Sequence, residues 1–435
     1  MANIRLPTTP ESWVHITSNN GLRFRASDPR LNRVLDIPAI DPRASSIGPM
    51  MASLVVLESP PGFRAIWSAD LPRIKVDGSG LTVSGEGAQS SEDLPSLEAA
   101  VARFRAVHPA EPKSSPGRPP RISRGVTLDL FLPEGRIANR LEDAERLVRE
   151  LAERDLSRDA LLYLCGLFAP YDSGYPRYVP AEEVGGAGGL ARLAEAARQH
   201  GVKLMPHVNF WGYDVKSGLI PDYSDFQVRD AQGNPMGYEG TTWVGATNPL
   251  AYMRADDKRW TDIWFGYIDA LLDRFPIEAL FLDQIGLAPD EGIREGTIRM
   301  LQRLNRDRPG LILGGEFLME FLLPYIDIFT CWGTPWCGLA GDDLTDNFSP
   351  IVRLLFGEQV VYMAHMGLPS ATPGRYCWTN YPWLVEHGTE GAFRRAQAYR
   401  RRLGGIPHVH VTRYGPEGLD PLSLQVLGAG SGLPA

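Results

Sequence analysis

The strongest constraint on the fold is an alternation of short apolar runs with amphipathic segments from residue 122 onward. Each run is short and rich in Val, Ile, Leu and Phe, which is typical of buried strands. The eight predicted strands are Val126–Leu132, Leu161–Phe168, Lys203–Phe210, Ala279–Asp283, Leu311–Glu316, Asp327–Trp332, Val360–Met366 and His408–Arg413. Eight strands with interposed helices over roughly 310 residues are what a closed barrel requires. The predicted fold class is therefore α/β, a (β/α)8 TIM barrel.

The segments between these strands have helical periodicity. The clearest apolar stripe consists of Trp260, Ile263, Trp264, Tyr267, Ile268, Leu271 and Leu272. Further helices are predicted at Leu141–Leu156, Gly189–His200, Thr297–Asn305 and Thr389–Leu403. His200-Gly201 and Arg308-Pro-Gly310 are typical helix ends. An open doubly wound sheet is the alternative, but no Gly-rich phosphate loop follows the first predicted strand.

A different pattern precedes the barrel. Residues 1–108 contain short strand-like runs separated by turn signals, which indicate a small antiparallel β domain with one helix at Leu97–Val107. The predicted strands are Trp13–Thr17, Leu22–Arg25, Ser53–Glu58, Phe63–Trp67, Arg73–Val76 and Leu81–Ser84. Residues 109–121 are rich in Pro and polar residues and read as a linker. The predicted domains are therefore 1–108, the linker 109–121, and the barrel 122–435.

Charge and hydropathy exclude some classes of function. The net charge of −8 and the pI near 5.6 argue against nucleic-acid binding, which needs a basic surface. No apolar stretch is long enough for a membrane span, and the N-terminus lacks a signal-peptide pattern. A cytoplasmic protein is expected, or a secreted one if a leader was removed. The four cysteines are too scattered for a disulfide framework. No cofactor is predicted. The oligomeric state is open, with a homodimer as one alternative.

Two predicted strands end on a carboxylate. Ala279–Asp283 ends on Asp283, and the next run ends on Glu316 after two glycines. If these strands are parallel neighbours, the two carboxyl groups lie side by side at the catalytic edge of the barrel. A pair of carboxyl groups so placed is what cleavage of a glycosidic bond requires. Asp283 and Glu316 are the predicted catalytic residues.

Other strand ends and the loops after them carry polar and aromatic side chains. His207 and Asn209 share one face of the third strand because side chains repeat every two residues. Aromatic rings suit the apolar faces of sugars, and amides and carboxylates suit hydroxyl groups. The predicted substrate-binding residues are His207, Asn209, Trp211, Asp129, Tyr175, Gln284, Trp332, Trp336 and His365. An oligosaccharide or glycoside is the predicted substrate.

Each of these signals has a structural alternative. Asp283 could only cap a helix, the histidines could be buried core residues, and the aromatic residues could merely pack the loops. One rival function is a metal-dependent hydrolase that uses His207, His365, His408 and His410 with a carboxylate. The other is a non-catalytic carbohydrate-binding barrel.

Three further segments resemble glycoside hydrolase barrels of the endo-α-N-acetylgalactosaminidase type and their relatives. They are Gly174-Tyr-Pro-Arg-Tyr-Val-Pro180, Gly188-Gly-Leu-Ala-Arg-Leu193 and Gly201-Val-Lys-Leu-Met-Pro-His-Val-Asn209. Asn248-Pro249 and Phe281–Gln284 extend the resemblance, which covers about residues 122 to 370. It is carried more by the order of the motifs than by identity.

The resemblance implies a mechanism and a linkage. In amylase-like and α-galactosidase-like barrels the aspartate of strand four is the nucleophile and the glutamate of strand five is the general acid/base. Carried over, these roles fall to Asp283 and Glu316, with retention at an α-linked anomeric centre. Retention predicts carboxyl groups about 5–6 Å apart, whereas roughly 6.5–9.5 Å would indicate inversion.

Overall fold

The computed structural model describes most of the chain. The described residues are 2–18, 21–34, 50–77, 80–110, 113, 121–133, 135–230, 232–240, 248–286, 288, 290–316, 318–331, 347–357, 359–364, 397–398 and 400–429. Trp332, Trp336 and His365, like most of the predicted linker, lie outside them.

Eight parallel strands form one sheet, as the alternating pattern predicts. They are β9 (Arg124–Asp129), β10 (Ala160–Cys165), β11 (Val202–Asn209), β15 (Ala279–Asp283), β16 (Ile312–Gly315), β17 (Ile328–Cys331), β18 (Val361–Ala364) and β19 (His408–Val411). Their order in space is the order in the chain, and β19 pairs with β9. The amide of Ile406, just before β19, donates to the carbonyl of Tyr362 in β18 at 2.9 Å. The sheet is thus nearly closed, and the (β/α)8 barrel fold is confirmed.

The barrel strands bury both faces. Alternate residues such as Tyr163, Met205 and Phe281 form an interior cluster. The residues between them, such as Leu162, Leu204 and Leu282, join a larger cluster with the surrounding helices. This two-sided burial explains why the strands read as nearly continuous apolar runs.

Helices follow the strands and pack outside them. They are α2 (Leu141–Glu153), α3 (Gly186–His200), α4 (Lys258–Arg274), α5 (Glu291–Asp307), α6 (Ile351–Phe356) and α7 (Pro421–Gly428), after α1 (Leu97–Val107) of the N-terminal region. Asp290 caps α5 by accepting from the Ile293 amide, and Gly201 ends α3 with a φ of 72°. Trp260, Trp264 and Ile268 of the predicted stripe are buried in α4.

The N-terminal region forms two antiparallel sheets. Five strands make one: β2 (Trp13–Ile16), β3 (Leu22–Arg25), β4 (Leu54–Ser59), β5 (Gly62–Trp67) and β8 (Gln89–Ser90). Three make the other: β1 (Ala2–Leu6), β6 (Arg73–Asp77) and β7 (Gly80–Gly85). β1 and β8 were not predicted, because β1 has only one buried residue and β8 only two residues in all.

One face of the five-stranded sheet packs against the barrel. Ala52, Leu54 and Trp67 belong to the same hydrophobic cluster as the barrel helices. The carbonyl of Met51 accepts from the Glu320 amide at 2.9 Å, and Arg105 of α1 pairs with the Glu320 carboxylate at 2.5 Å. The N-terminal region therefore rests on the segment that follows β16.

The long connection after β11 contains a sheet of its own. β12 (Gly212–Asp214), β13 (Gly237–Gly240) and β14 (Asn248–Tyr252) form three antiparallel strands, with β14 in the middle. The sequence pattern predicts an aromatic-rich loop here instead of strands, because the strands are short and their spacing is irregular.

Among the described residues, no helix is both long and apolar enough to cross a membrane.

Candidate active site

The strand register brings the predicted catalytic residues to one level. Asn209 pairs with Asp283 across β11 and β15, and Leu282 pairs with Gly315 across β15 and β16. Glu316 follows Gly315 directly, so its side chain starts level with Asp283 at the C-terminal edge of the barrel. Both carboxyl groups are buried.

The two glycines before Glu316 allow this approach. A Cβ on Gly314 would lie 3.1 Å from Met205 Sδ inside the barrel, and one on Gly315 would lie 2.6 Å from Ile326 Cδ1. A larger residue at either position would have to displace these side-chain ends. The two glycines thus leave room for the Met205 and Ile326 side chains just before Glu316.

Asp283 and Glu316 contact each other directly. Each carboxyl group lies within hydrogen-bonding range of the other. Burial raises the pKa of Asp283 to about 6. Burial, and after it the charge of Asp283, raise the pKa of Glu316 well above its ordinary value. The pair therefore shares a proton that Glu316 holds in preference to Asp283.

Asn209 and Gln284 hold this pair in place. Asn209 Nδ2 donates to Asp283 Oδ2 at 2.7 Å, while Asn209 Oδ1 accepts from the amides of Trp211 and Gly212. The Gln284 amide donates to Glu316 Oε2 at 3.1 Å. Gln284 adopts a left-handed φ of 60°, an uncommon conformation that turns the chain sharply after Asp283.

His207 lies beside Asp283. Its Nδ1 is 2.6 Å from the Tyr163 hydroxyl, and its Nε2 is 3.7 Å from Asp283 Oδ2. Within the described part of the chain, Nε2 is buried without a hydrogen-bond partner. Burial lowers the pKa of His207 to about 3, so the ring is neutral at physiological pH. An unpaired, neutral imidazole nitrogen is thus directed toward the carboxylates.

Asp172 joins the site and was not predicted. It lies in the loop after β10 with a left-handed φ of 59°, and its carboxylate is buried. Burial and the charge of Asp283 raise the pKa of Asp172 well above its ordinary value. The sequence signal was weak because Asp172 belongs to a loop with no strand register, although the predicted residue Tyr175 lies in the same loop.

The rings around His207 form its wall. Tyr171, Tyr163, Tyr175 and Phe281 have ring centroids 4.7, 6.0, 6.2 and 5.4 Å from that of His207. Tyr175 was a predicted site residue, whereas Tyr163 and Tyr171 were not. Tyr163 points into the barrel two residues before Cys165, so interior alternation along β10 could have identified it.

Two predicted site residues have different surroundings. Asp129 accepts from His410 Nε2 at 2.8 Å, and both side chains are buried. The ring of Trp211 is fully buried and packs edge-on against Phe210 at 5.9 Å in the outer cluster. The assignment of Asp129 and Trp211 to substrate binding stays a prediction, as it does for Trp332, Trp336 and His365.

A possible set of metal ligands differs from the one that the sequence suggested. His408 bonds Thr127 at 2.9 Å and His410 bonds Asp129, so both imidazoles have partners on β9. Among the described residues, the set that could hold an ion is Asp172, His207 and Asp283, each offering one atom within 4.8 Å of the others. Of the predicted histidine ligands in the described chain, only His207 belongs to this set.

Comparison with known proteins supports the fold. A family described as a domain of unknown function (DUF6259) matches residues 163–365. No curated protein sequence matches the chain. Solved structures do match: α-N-acetylgalactosaminidase NagBb from Bifidobacterium bifidum, in complex with GalNAc, has a TM-score of 0.69 at 14% identity, over 98% of this chain and 74% of that one.

Two α-galactosidases are also similar. TtGalA from Thermus thermophilus has a TM-score of 0.65 at 15% identity, over 98% of this chain and 88% of that chain. The GH36 enzyme AgaA from Geobacillus stearothermophilus has a TM-score of 0.57 at 12% identity, over 98% and 61%. The predicted resemblance to glycoside hydrolase barrels is thus confirmed at the level of the fold. At such low identities the chemistry has to be argued from the residues themselves.

Proposed function

We propose that this protein is a glycoside hydrolase that cleaves an α-linked glycosidic bond with retention of configuration, with Asp283 as nucleophile and Glu316 as general acid/base. The observation that carries the proposal is the buried Asp283–Glu316 pair, whose pKa values are raised to different extents. Two carboxyl groups with separated pKa values divide naturally into one base and one acid.

The first chemical step uses both protonation states. Above pH 6 Asp283 is ionised, and Asn209 holds one of its oxygens at 2.7 Å, leaving the other oxygen to attack the anomeric carbon. Glu316 retains its proton and delivers it to the departing glycosidic oxygen. The bond between C1 and that oxygen breaks as the bond from Asp283 to C1 forms.

The second step reverses the role of Glu316. Once the aglycone has left, the Glu316 carboxylate takes a proton from water, and the water oxygen attacks C1 and releases Asp283. The direct contact of the two carboxyl groups favours retention over inversion, because inversion needs roughly 6.5–9.5 Å between them. Admission of a sugar is expected to separate them to about 5–5.5 Å.

The walls of the site suit sugar hydroxyl groups. His207 Nε2 is a neutral nitrogen without a partner in the described chain, and Asp172 is a nearby acceptor. The phenol rings of Tyr171 and Tyr175 provide apolar faces with polar tips. The printed names of the similar structures, an α-N-acetylgalactosaminidase and two α-galactosidases, make α-galactosides and α-N-acetylgalactosaminides the first substrates to test.

The experiment is a kinetic comparison of Asp283→Asn and Glu316→Gln on aryl α-glycosides with good and poor leaving groups. Asp283→Asn is expected to lose at least about 10³-fold in kcat/KM on every substrate, because the nucleophile is gone. Glu316→Gln is expected to lose about 10²–10⁴-fold with poor leaving groups but much less with dinitrophenyl glycosides, which leave without protonation. NMR of the first sugar released would report retention or inversion.

Asp262→Asn is the matched control, since Asp262 is an exposed residue of α4 that pairs only with Lys258 among described residues. It should retain full activity. Near-normal turnover in Asp283→Asn, or an equal loss on all leaving groups in Glu316→Gln, would contradict the assigned roles. Release of the inverted anomer would refute retention alone.

A further inference from the structure

We propose that Asp172, His207 and Asp283 form a zinc site that overlaps the sugar site, so that Zn²⁺ and substrate exclude each other. One ligand atom from each residue lies within 4.8 Å of the other two, and all three side chains are buried. The binding of the ion stands on this geometry. Only its inhibitory effect rests on the proposed hydrolase function.

The spacing is close to what zinc needs. Tetrahedral Zn²⁺ with bonds of about 2.0–2.2 Å holds its ligand atoms roughly 3.4 Å apart. His207 Nε2 and Asp283 Oδ2 are already 3.7 Å apart. Rotation of the two carboxylates, which moves their oxygens by a few tenths of an ångström to about 1 Å, would let all three residues coordinate the ion. A fourth coordination position would stay open.

The state of His207 suits a metal ligand. Its Nε2 is buried without a hydrogen-bond partner in the described chain, so binding an ion there breaks no existing bond. The Tyr163 hydroxyl, 2.6 Å from Nδ1, also interacts with the Cys165 sulfur. Tyr163 can therefore donate to sulfur while accepting from Nδ1–H, which leaves the Nε2 lone pair free for the ion. Zinc-binding histidines are commonly oriented in this way through their second nitrogen.

The donor set selects the ion. Zn²⁺ binds both imidazole nitrogen and carboxylate oxygen, the two kinds of ligand atom present here, whereas Ca²⁺ and Mg²⁺ prefer oxygen ligands alone. The Tyr171, Tyr175 and Phe281 rings pack around His207 and limit its movement.

The consequence follows from the identity of one ligand. Asp283 is the proposed nucleophile, and a carboxylate bound to Zn²⁺ cannot attack C1. His207 would have to give up the same nitrogen that is proposed to meet a sugar hydroxyl. Zinc is therefore expected to act as a competitive inhibitor, raising the apparent KM with little effect on kcat.

The test uses the chelator-treated full chain, equilibrium dialysis against Zn²⁺, and elemental analysis. Wild type is expected to bind one Zn²⁺ per chain, and Co²⁺ in its place should give the visible absorption of a four- or five-coordinate ion. His207→Asn and Asp172→Asn should bind at least 10-fold more weakly. Asn suits position 172 because it tolerates the left-handed φ found there.

Two controls separate this proposal from the hydrolase proposal. Glu316→Gln removes the general acid but no ligand, so its zinc affinity should stay within about threefold of wild type. His200→Asn, at the end of α3, should leave zinc binding unchanged. Tyr163→Phe keeps every ligand and should weaken binding about 10-fold by releasing the imidazole. It also serves if another variant does not fold.

Zinc binding in wild type without hydrolysis of any glycoside would leave the ion site standing while the hydrolase proposal fails. The ion site is overturned if wild type retains no zinc, or if His207→Asn and Asp172→Asn retain as much as wild type. Activation of hydrolysis by Zn²⁺, or inhibition that substrate cannot relieve, would overturn the competition.

Discussion

Asp283 illustrates what a single residue can and cannot reveal in a sequence. Its position at the end of an apolar run was enough to predict a place at the C-terminal edge of the barrel, and β15 does end on Asp283. Its neighbours Asn209 and Glu316 followed from the same rule. Asp172 did not, because a loop aspartate reaches the site only through the path of the chain after β10, which no periodicity encodes.

The raised pKa of Asp283 predicts a stability cost. Its folded pKa of about 6 lies above the ordinary 3.8, so the folded state binds this proton more tightly than the unfolded state. Stability is then lost as the pH rises from about 4 through 6, by about 3 kcal/mol in all. Urea titration should therefore show that Asp283→Asn gains stability relative to wild type between pH 4 and pH 8. The difference in free energy of unfolding, variant minus wild type, should rise by about 3 kcal/mol over that range. Asp262→Asn should show no such trend, and a difference independent of pH would contradict the cause given.

Among the elements, strands were predicted more accurately than connections. Ala279–Asp283 agrees at both ends, and the other barrel strands agree within a few residues, because a strand buried on both faces leaves a strong apolar signal. Helix α5 starts at Glu291, earlier than the predicted Thr297, since its first turns are polar and are fixed by the Asp290 cap. The small sheet of β12 to β14 escaped prediction because its strands are short and irregularly spaced.

Helix α5 packs closely enough on the segment before α4 to make one glycine essential. A Cβ on Gly296 would lie 2.4 Å from backbone atoms of Ala255 and Asp256, which cannot move aside as a side-chain tip could. Gly296→Ala is therefore expected to lower the free energy of unfolding by about 1–3 kcal/mol through overpacking. Chemical denaturation measures this effect.

Gly266→Ala is the matched control for that substitution. Gly266 is an exposed residue in the middle of α4 with nothing within 4 Å of the added Cβ, so alanine should stabilise the helix by up to about 1 kcal/mol. Equal effects of the two substitutions, in either direction, would show that packing of α5 on residues 255–256 is not the cause.

In the whole molecule, a buried chain of polar groups ties the N-terminal sheet to the barrel. His15 of β2 bonds Ser349 Oγ through Nδ1 at 2.8 Å and Glu58 through Nε2 at 2.9 Å. Ser349 lies just before α6, and its amide donates to the Gly21 carbonyl. The sequence indicated two regions here, but not this contact, because His15 and Ser349 are far apart in the chain. The boundaries 1–108, 109–121 and 122–435 remain predictions.

Ser349→Ala is expected to destabilise the whole chain. The substitution leaves His15 Nδ1 buried without its partner, which costs about 1–3 kcal/mol. The free energy of unfolding from denaturant titration measures the loss. Ser59→Ala, which breaks a half-buried bond to Ser12 within the N-terminal region, should cost less. Wild-type stability in Ser349→Ala would mean that this bond does not hold the two regions together.

The contact between Met51 and Glu320 predicts the effect of deleting the N-terminal region. Glu320 lies four residues after Glu316 in the chain, and the N-terminal region contacts it through the Met51 backbone bond and the Arg105 ion pair. The N-terminal region thus supports the segment that follows Glu316, the proposed general acid. Removal of the N-terminal region to obtain a minimal barrel is expected to expose apolar surface. It would also remove contacts that help to position Glu316.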